Sequence, residues 1–144
     1  MKYLVLIVLL GSVKYSHGQN DSSLFYTKKI NWNSFAITTN YISVLSLNDE
    51  AKKIITLNAK AKLRNLIKCL SDKNKVVAAH IILTQIIEPD SAKFSQLYNY
   101  AKDSTVSSVE YLYNKLSWNW SESLGSKIKK TEMVAIKRYW KRKL

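Results

Sequence analysis

Between Asn58 and Ile87 the chain carries two apolar runs separated by the polar stretch Ser71-Asp72-Lys73-Asn74. At about 100° per residue, Ile55, Ala59, Leu63, Leu66 and Leu70 fall on one helical face, and Lys53, Lys60, Arg64 and Lys68 project from another. The spacing predicts a helix over roughly 49–70, opened by Asn48 as N-cap, with Asp49 and Glu50 in the first turn where acids suit the helix dipole. Thr56-Leu57-Asn58 is its weak point, because an asparagine there suits the cap of a second, shorter helix. In the following segment Val76, Leu83 and Ile87 share a face, and Val77, Ile81 and Ile82 fill much of the remainder. Glu88-Pro89 ends that segment, since proline disfavours helix at the residue before it. A helix over about 75–87 that is apolar nearly all round belongs at the centre of its domain. Capping side chains in the polar turn fold the two helices back as an antiparallel hairpin.

The flanking patterns are weaker. Residues 19–39 mix polar and aromatic positions without a firm period and read as an N-terminal extension, anchored through Phe25, Tyr26, Trp32 and Phe35. Tyr41-Ile42-Ser43-Val44-Leu45 fits a strand or a first helical turn, and its helical neighbours favour the turn. After Pro89, Asp90 or Ser91 caps a helix to about Ala101 with Phe94, Leu97 and Tyr98 inward. Over 106–120 two readings stand. Val109, Tyr111 and Tyr113 alternate, as do Leu116, Trp118 and Trp120, which suits a small β-hairpin around 109–120 turning at Asn114-Lys115. Val106, Val109, Tyr113 and Leu116 also fit a helix, with Ser107 and Glu110 as its capping box. The alternation favours the hairpin. From Thr131 onward Met133, Ile136, Trp140 and Leu144 form one stripe of a terminal helix, with Lys137, Arg138, Lys141, Arg142 and Lys143 around it.

Leu70-Ser71-Asp72, Val76, Ala78-Ala79, Leu83 and Ile86 resemble the second half of a HEAT-like repeat of the phycobilisome-lyase type, in which a Leu-x-Asp turn leads into a helix with a valine, paired alanines and a spaced leucine. The resemblance covers about thirty residues. Together with Tyr113-Asn114-Lys115-Leu116 and a terminal helix carrying Tyr139-Trp140, the pair is similar to small bacterial exported proteins of unknown function. The resemblance implies a mainly α fold, a HEAT-like antiparallel helical hairpin plus a C-terminal helix, and no activity.

Met1-Lys2 followed by the apolar run Tyr3 to Leu10 and small residues to Gly18 reads as a secretory signal peptide over 1–18, too short to span a membrane. The expected location is secreted or periplasmic. The remaining chain is long enough for one core, so residues 40–144 are expected to form a single helical domain behind the 19–39 extension. Beyond residue 18 the chain holds one glycine, Gly125, and one proline, Pro89, which disfavours turn-rich sandwiches and excludes a glycine-rich phosphate loop. Cys69 is the single cysteine, so no internal disulfide framework exists and stability rests on packing.

Charge changes the picture most. The formal net charge is +13, and residues 127–144 carry eight basic side chains against Glu132 alone. Such a concentration favours anionic partners, among them nucleic acid, anionic lipid and acidic glycans. Catalytic chemistry is harder to assemble. Beyond the signal segment a zinc site has only His80 and Cys69 to start from. Cys69 and His80 on facing helices would make a thiol enzyme, although a buried cysteine and a satisfied core histidine are the commoner outcome for residues on apolar faces. Asp49-Glu50, Asp72, Glu88 and Asp90 sit at helix ends, where capping accounts for them. Tyr111, Tyr113, Trp118 and Trp120 suit stacking on sugars or bases, but packing of a hairpin on helices is the stronger reading.

The expectation is therefore an exported basic domain that works by binding a protein or an anionic envelope component, with no catalytic residue, cofactor or metal. Its contact residues would be Lys137, Arg138, Lys141, Arg142 and Lys143 on the terminal helix, with Lys60 and Arg64. The alternatives are the Cys69–His80 thiol enzyme and peripheral membrane attachment through the basic C-terminal helix.

Overall fold

The structure, a computed structural model, describes residues 22–39, 43–57, 61–103, 105–121 and 123–144. Residues 1–18, expected to be a signal peptide, lie outside the described residues, as do Tyr41, Ile42, Asn58, Ala59 and Lys60. Over the described residues the fold is mixed α/β, at 48% helix and 29% strand, with one two-stranded and one four-stranded antiparallel sheet. It is neither mainly α nor HEAT-like, and strands stand where the sequence suggested helices at residues 43–47 and 94–100.

The chain begins with α1 (Ser22–Lys29) and a short 3-10 turn, Trp32–Ser34, and enters β1 (Phe35–Thr39), which pairs antiparallel with β2 (Ser43–Leu47). Within 43–47 Leu45 and Leu47 turn inward while Val44 and Ser46 are exposed, a period of two that overrides the helical reading. The expected anchors divide. Tyr26, Trp32 and Phe35 pack against the core, Phe25 is exposed, and Ile30 is the residue that is fully buried.

α2 (Asp49–Thr56) opens as its sequence predicts, with the Asn48 side chain accepting from the Ala51 amide at 2.9 Å. It stops at the weak point, and α3 (Lys62–Cys69) begins afresh. The Lys62 ammonium explains the break, donating to the Ile55 carbonyl at 2.9 Å and the Leu57 carbonyl at 2.6 Å, where α2 leaves acceptors without helical partners. The Ser71–Asn74 turn is held by the Asp72 carboxylate, which accepts from the Asn74 amide at 2.9 Å. α4 (Val76–Ile87) comes next, and every residue from Val76 to Thr84 is buried. This central helix is the part of the sequence reading that the structure reproduces best.

The difference comes after α4. A HEAT-like pair would next need another helix, but Pro89–Ser91 makes a 3-10 turn and the chain enters β3 (Phe94–Tyr100). Phe94, Gln96 and Tyr98 face one side and Ser95, Leu97 and Asn99 the other, so Leu97, expected inward, is 60% exposed. β3 pairs with β4 (Val106–Tyr113), β4 with β5 (Leu116–Ser121), and β5 with the short β6 (Gly125–Lys127). The β4–β5 hairpin turns at Asn114 and Lys115, both at positive φ (36° and 71°), the two-residue loop whose twist matches that of its strands. Here alternation wins over the helical reading.

The inner face of this sheet builds an aromatic ladder. Phe94 stacks on Tyr111 at 5.9 Å, Tyr111 lies 5.5 Å from Trp118, and Phe35 of β1 meets Trp118 edge-on. Tyr113, Leu116 and Trp118 join α4 in the core, so these aromatics pack rather than offer stacking surfaces. α5 (Lys130–Lys143) closes the core from the C-terminal end with Ile136 and Trp140 buried, whereas Leu144, expected on the same stripe, is exposed.

Candidate functional site

α5 is held by a buried polar relay that begins on α4. His80 is 0% exposed, and Trp140 Nε1 lies 2.9 Å from its Nδ1. An indole nitrogen only donates, so Nδ1 must carry the lone pair; in the neutral ring Nε2 then bears the proton and donates to the Tyr113 carbonyl 2.9 Å away. One imidazole thus ties α4 to β4 and to α5. Burial lowers its pKa to about 4, against smaller opposing contributions from the Tyr113 and Asn114 backbone and from Glu88. It is a satisfied core histidine.

At the C-terminal end of α4, Glu88 makes the second anchor. Its carboxylate accepts from Lys143 Nζ at 2.6 Å, from the Tyr139 hydroxyl, and from Asn114 Nδ2 at 3.3 Å. Asn114 also donates to Thr84 Oγ1 at 3.0 Å, joining the β4–β5 turn to α4. The hydrogen bonds from Lys143 and Tyr139 pull the Glu88 pKa down to about 2. Burial, with the adjoining carboxylate, pushes the Tyr139 hydroxyl up to about 12. Lys115 and Lys143 both lie against the Tyr139 ring, at 4.5 and 5.7 Å from its centroid. Glu88 is therefore more than the stop signal of α4. A long-range partner of this kind leaves no local pattern; the one hint in the sequence is an acid two-thirds of the way along a chain whose C-terminus is strongly basic.

These anchors decide which basic residues are presented. Arg138, Lys141 and Arg142 are exposed, and Arg138 and Arg142, one helical turn apart, line a shallow hollow with Ala135, Tyr139 and Lys143. Lys143 is engaged with Glu88, and Lys137 is half-buried and donates to Ser71 Oγ, so these two predicted contacts also fasten the helix. Arg64 is exposed on α3, and Lys60 lies outside the described residues. Last-turn cations at 141–143 also suit the negative end of the helix dipole.

The thiol and the imidazole do not form a pair. Cys69 is half-buried, and its S–H donates to the Thr27 carbonyl at 3.6 Å, in a cleft with Lys28, Asn65, Lys68, Asp72 and Lys75. Burial raises its pKa, partly offset by Lys75, which weakens it as a nucleophile. Lys75 itself donates to the Lys28 carbonyl at 2.9 Å, at the C-terminal end of α1. His80 has both ring nitrogens engaged elsewhere. Among the described residues no group of three or more His, Cys, Asp or Glu side chains is placed to hold a metal, and no helix is long and apolar enough to cross a membrane. No protein-family model, curated protein or solved structure matches this chain.

Proposed function

We propose that this protein is a binding domain that engages an anionic polymer or an acidic protein surface through the outward face of α5, with Arg138, Lys141 and Arg142 as its principal contacts. The observation that carries the reading is the division of labour on that helix. Its apolar stripe is committed to the core through Ile136 and Trp140, both at 3% exposure or less, while the guanidinium and ammonium groups stand on a fixed scaffold in solvent. A docked helix fixes the backbone beneath these cations, so only their side chains are ordered on binding, and a net charge of +13 attracts polyanions from a distance. The same observation speaks against attachment by helix insertion, which would need Trp140 and Ile136 to leave the core. With export directed by residues 1–18, the partner is an anionic component of the envelope or its surroundings.

The test is calorimetric titration of the protein with heparin at a series of salt concentrations. Binding should weaken steeply with salt, and the Arg138→Ala, Lys141→Ala, Arg142→Ala triple variant should lower the slope of log K against log salt by roughly two to three, about one per lost contact, without loss of folded structure. Equal slopes for the two proteins would assign the charge to a solvated face. Absence of binding at low salt would refute the reading altogether.

A further inference from the structure

The outer face of the four-stranded sheet, opposite its aromatic ladder, is turned to solvent: Ser95, Leu97, Asn99, Leu112, Asn119 and Lys127 are all exposed. In the half remote from the Asn114-Lys115 turn this face forms a hollow of about 640 Å³, bounded by the β5–β6 turn at Ser123 and Leu124. Strand register sets the side chains of its floor. Leu97, Glu110, Asn119 and Lys127 make one row across the four strands; in the next, Asn99 lies opposite Ser108, and Ser121 opposite Gly125.

The polar groups of this floor are largely unengaged. Glu110 is half-buried, belongs to none of the ion pairs of the described residues and, like Asn119 and Ser121, makes no side-chain hydrogen bond among them. Asn99 Nδ2 donates to Ser108 Oγ at 3.2 Å, which leaves the Asn99 amide oxygen to accept and the Ser108 hydroxyl to donate. The backbone of β4 and β5 is paired on both sides, so recognition falls to these side chains and a peptide finds no strand here to extend.

Amides and hydroxyls each present a donor and an acceptor, and the ligand group that answers both is another hydroxyl. Charge narrows the choice further. Among the described lining residues Glu110 stands against Lys127 and Lys129, and in the β3–β4 turn beyond Asn99 the exposed Lys102 and Asp103 offset each other. The hollow therefore lacks the single-sign field of an anion site, and the carboxylate on its floor repels phosphate, sulfate and acidic side chains. Three strands span about 10 Å, the length of a short run of sugar rings, and Leu124, 62% exposed, offers apolar surface to their C–H faces. We infer that this hollow binds a neutral saccharide, whose hydroxyls donate to Glu110 and exchange hydrogen bonds with Asn119, Ser108 and Ser121. It shares no residue with the basic face of α5, and its contact would persist at salt concentrations that dissolve an electrostatic one.

The test is a screen of the full chain on an array of neutral and acidic glycans at about 0.5 M salt, where screening shortens electrostatic reach to a few ångströms. The best-bound neutral oligosaccharide is then titrated into isotope-labelled protein and followed by two-dimensional NMR. It should move the amide signals of residues 108–110 and 119–121 and lose at least about fivefold in affinity to the Glu110→Ala, Asn119→Ala double variant. The α5 triple variant should bind it within about twofold of the wild type. Should the double variant not fold, Asn119→Ala alone, at an exposed position, should still cost about threefold. Absence of any neutral glycan bound, signal changes confined to other residues, or unchanged affinity in the folded variants overturns the inference. Binding of acidic glycans alone, lost in the α5 triple variant, overturns it while leaving the α5 reading in place. A peptide or a concentration-dependent dimer that moves these amides where no glycan does assigns the face to protein and overturns it as well.

Discussion

Acid should destabilise this protein over two successive pH windows, of which the first belongs to His80. The folded protein holds His80 neutral, with a pKa lowered to about 4 from 6.5, because burial penalises the imidazolium; a proton on Nδ1 would in addition face the Trp140 N–H. The unfolded chain protonates the same side chain near its ordinary value. Between pH 6.5 and about 4 the unfolded state therefore binds more protons, and stability falls as the pH is lowered through that window; above pH 6.5 the contribution is fully present. At about 1.4 kcal/mol per pH unit of displacement the loss is on the order of 3 kcal/mol, a large part of the stability of a domain this size. Urea unfolding followed by far-ultraviolet circular dichroism from pH 7.5 to 4 reads it directly. His80→Leu should flatten the profile while costing about 2 to 6 kcal/mol at pH 7.5, since the Tyr113 carbonyl and the Trp140 N–H each lose a buried partner. Should that variant not fold, Trp140→Phe serves instead, because removing the indole donor lets the His80 pKa rise and the slope shrink. A wild-type profile that is level between pH 6.5 and 4 would refute the tautomer and burial argument together.

The second acid window should come from Glu88, whose pKa of about 2 makes its contribution full above pH 4.5 and lost as the pH falls through 2; Glu88→Gln should remove that lower loss in the same urea series extended down to pH 2 and leave the His80 loss in place. Leu83→Ala should cost about 2 to 4 kcal/mol, because Leu83 is fully buried on α4, and a denaturant midpoint no lower than that of Arg64→Ala would contradict it. Tyr113→Phe should leave stability unchanged or raise it by up to about 1 kcal/mol, because its buried hydroxyl lies beside Gln85 but makes no hydrogen bond of good geometry. A drop of more than about 1 kcal/mol in thermal unfolding would show that the hydroxyl is paired.

Much of the helical part is legible from residues alone. Asn48 before Asp49-Glu50 marks the start of α2, Glu88-Pro89 marks the end of α4, and a segment apolar on nearly every side has to be central whatever surrounds it. The Ile136–Trp140 stripe likewise demands burial, and so the basic residues of α5 were nameable as a candidate face. Capping and amphipathic periodicity act over a few residues, so the local chain carries them completely. The sheet is different. Phe94–Tyr100 reads as a helix with Phe94, Leu97 and Tyr98 inward until β4 lies beside it, because a strand gains its backbone partners and half its packing from residues far along the chain. The Asn114-Lys115 turn was visible, yet whether it joined two strands or interrupted a helix depended on Thr84 and Glu88 reaching it from α4. His80, Glu88, Tyr139 and Trp140 obey the same logic. Each is an ordinary residue in its own segment, and only the packing of α5 on α4 turns them into the anchors that fix the basic face, since hydrogen bonds spanning fifty to sixty residues have no periodicity from which to be read.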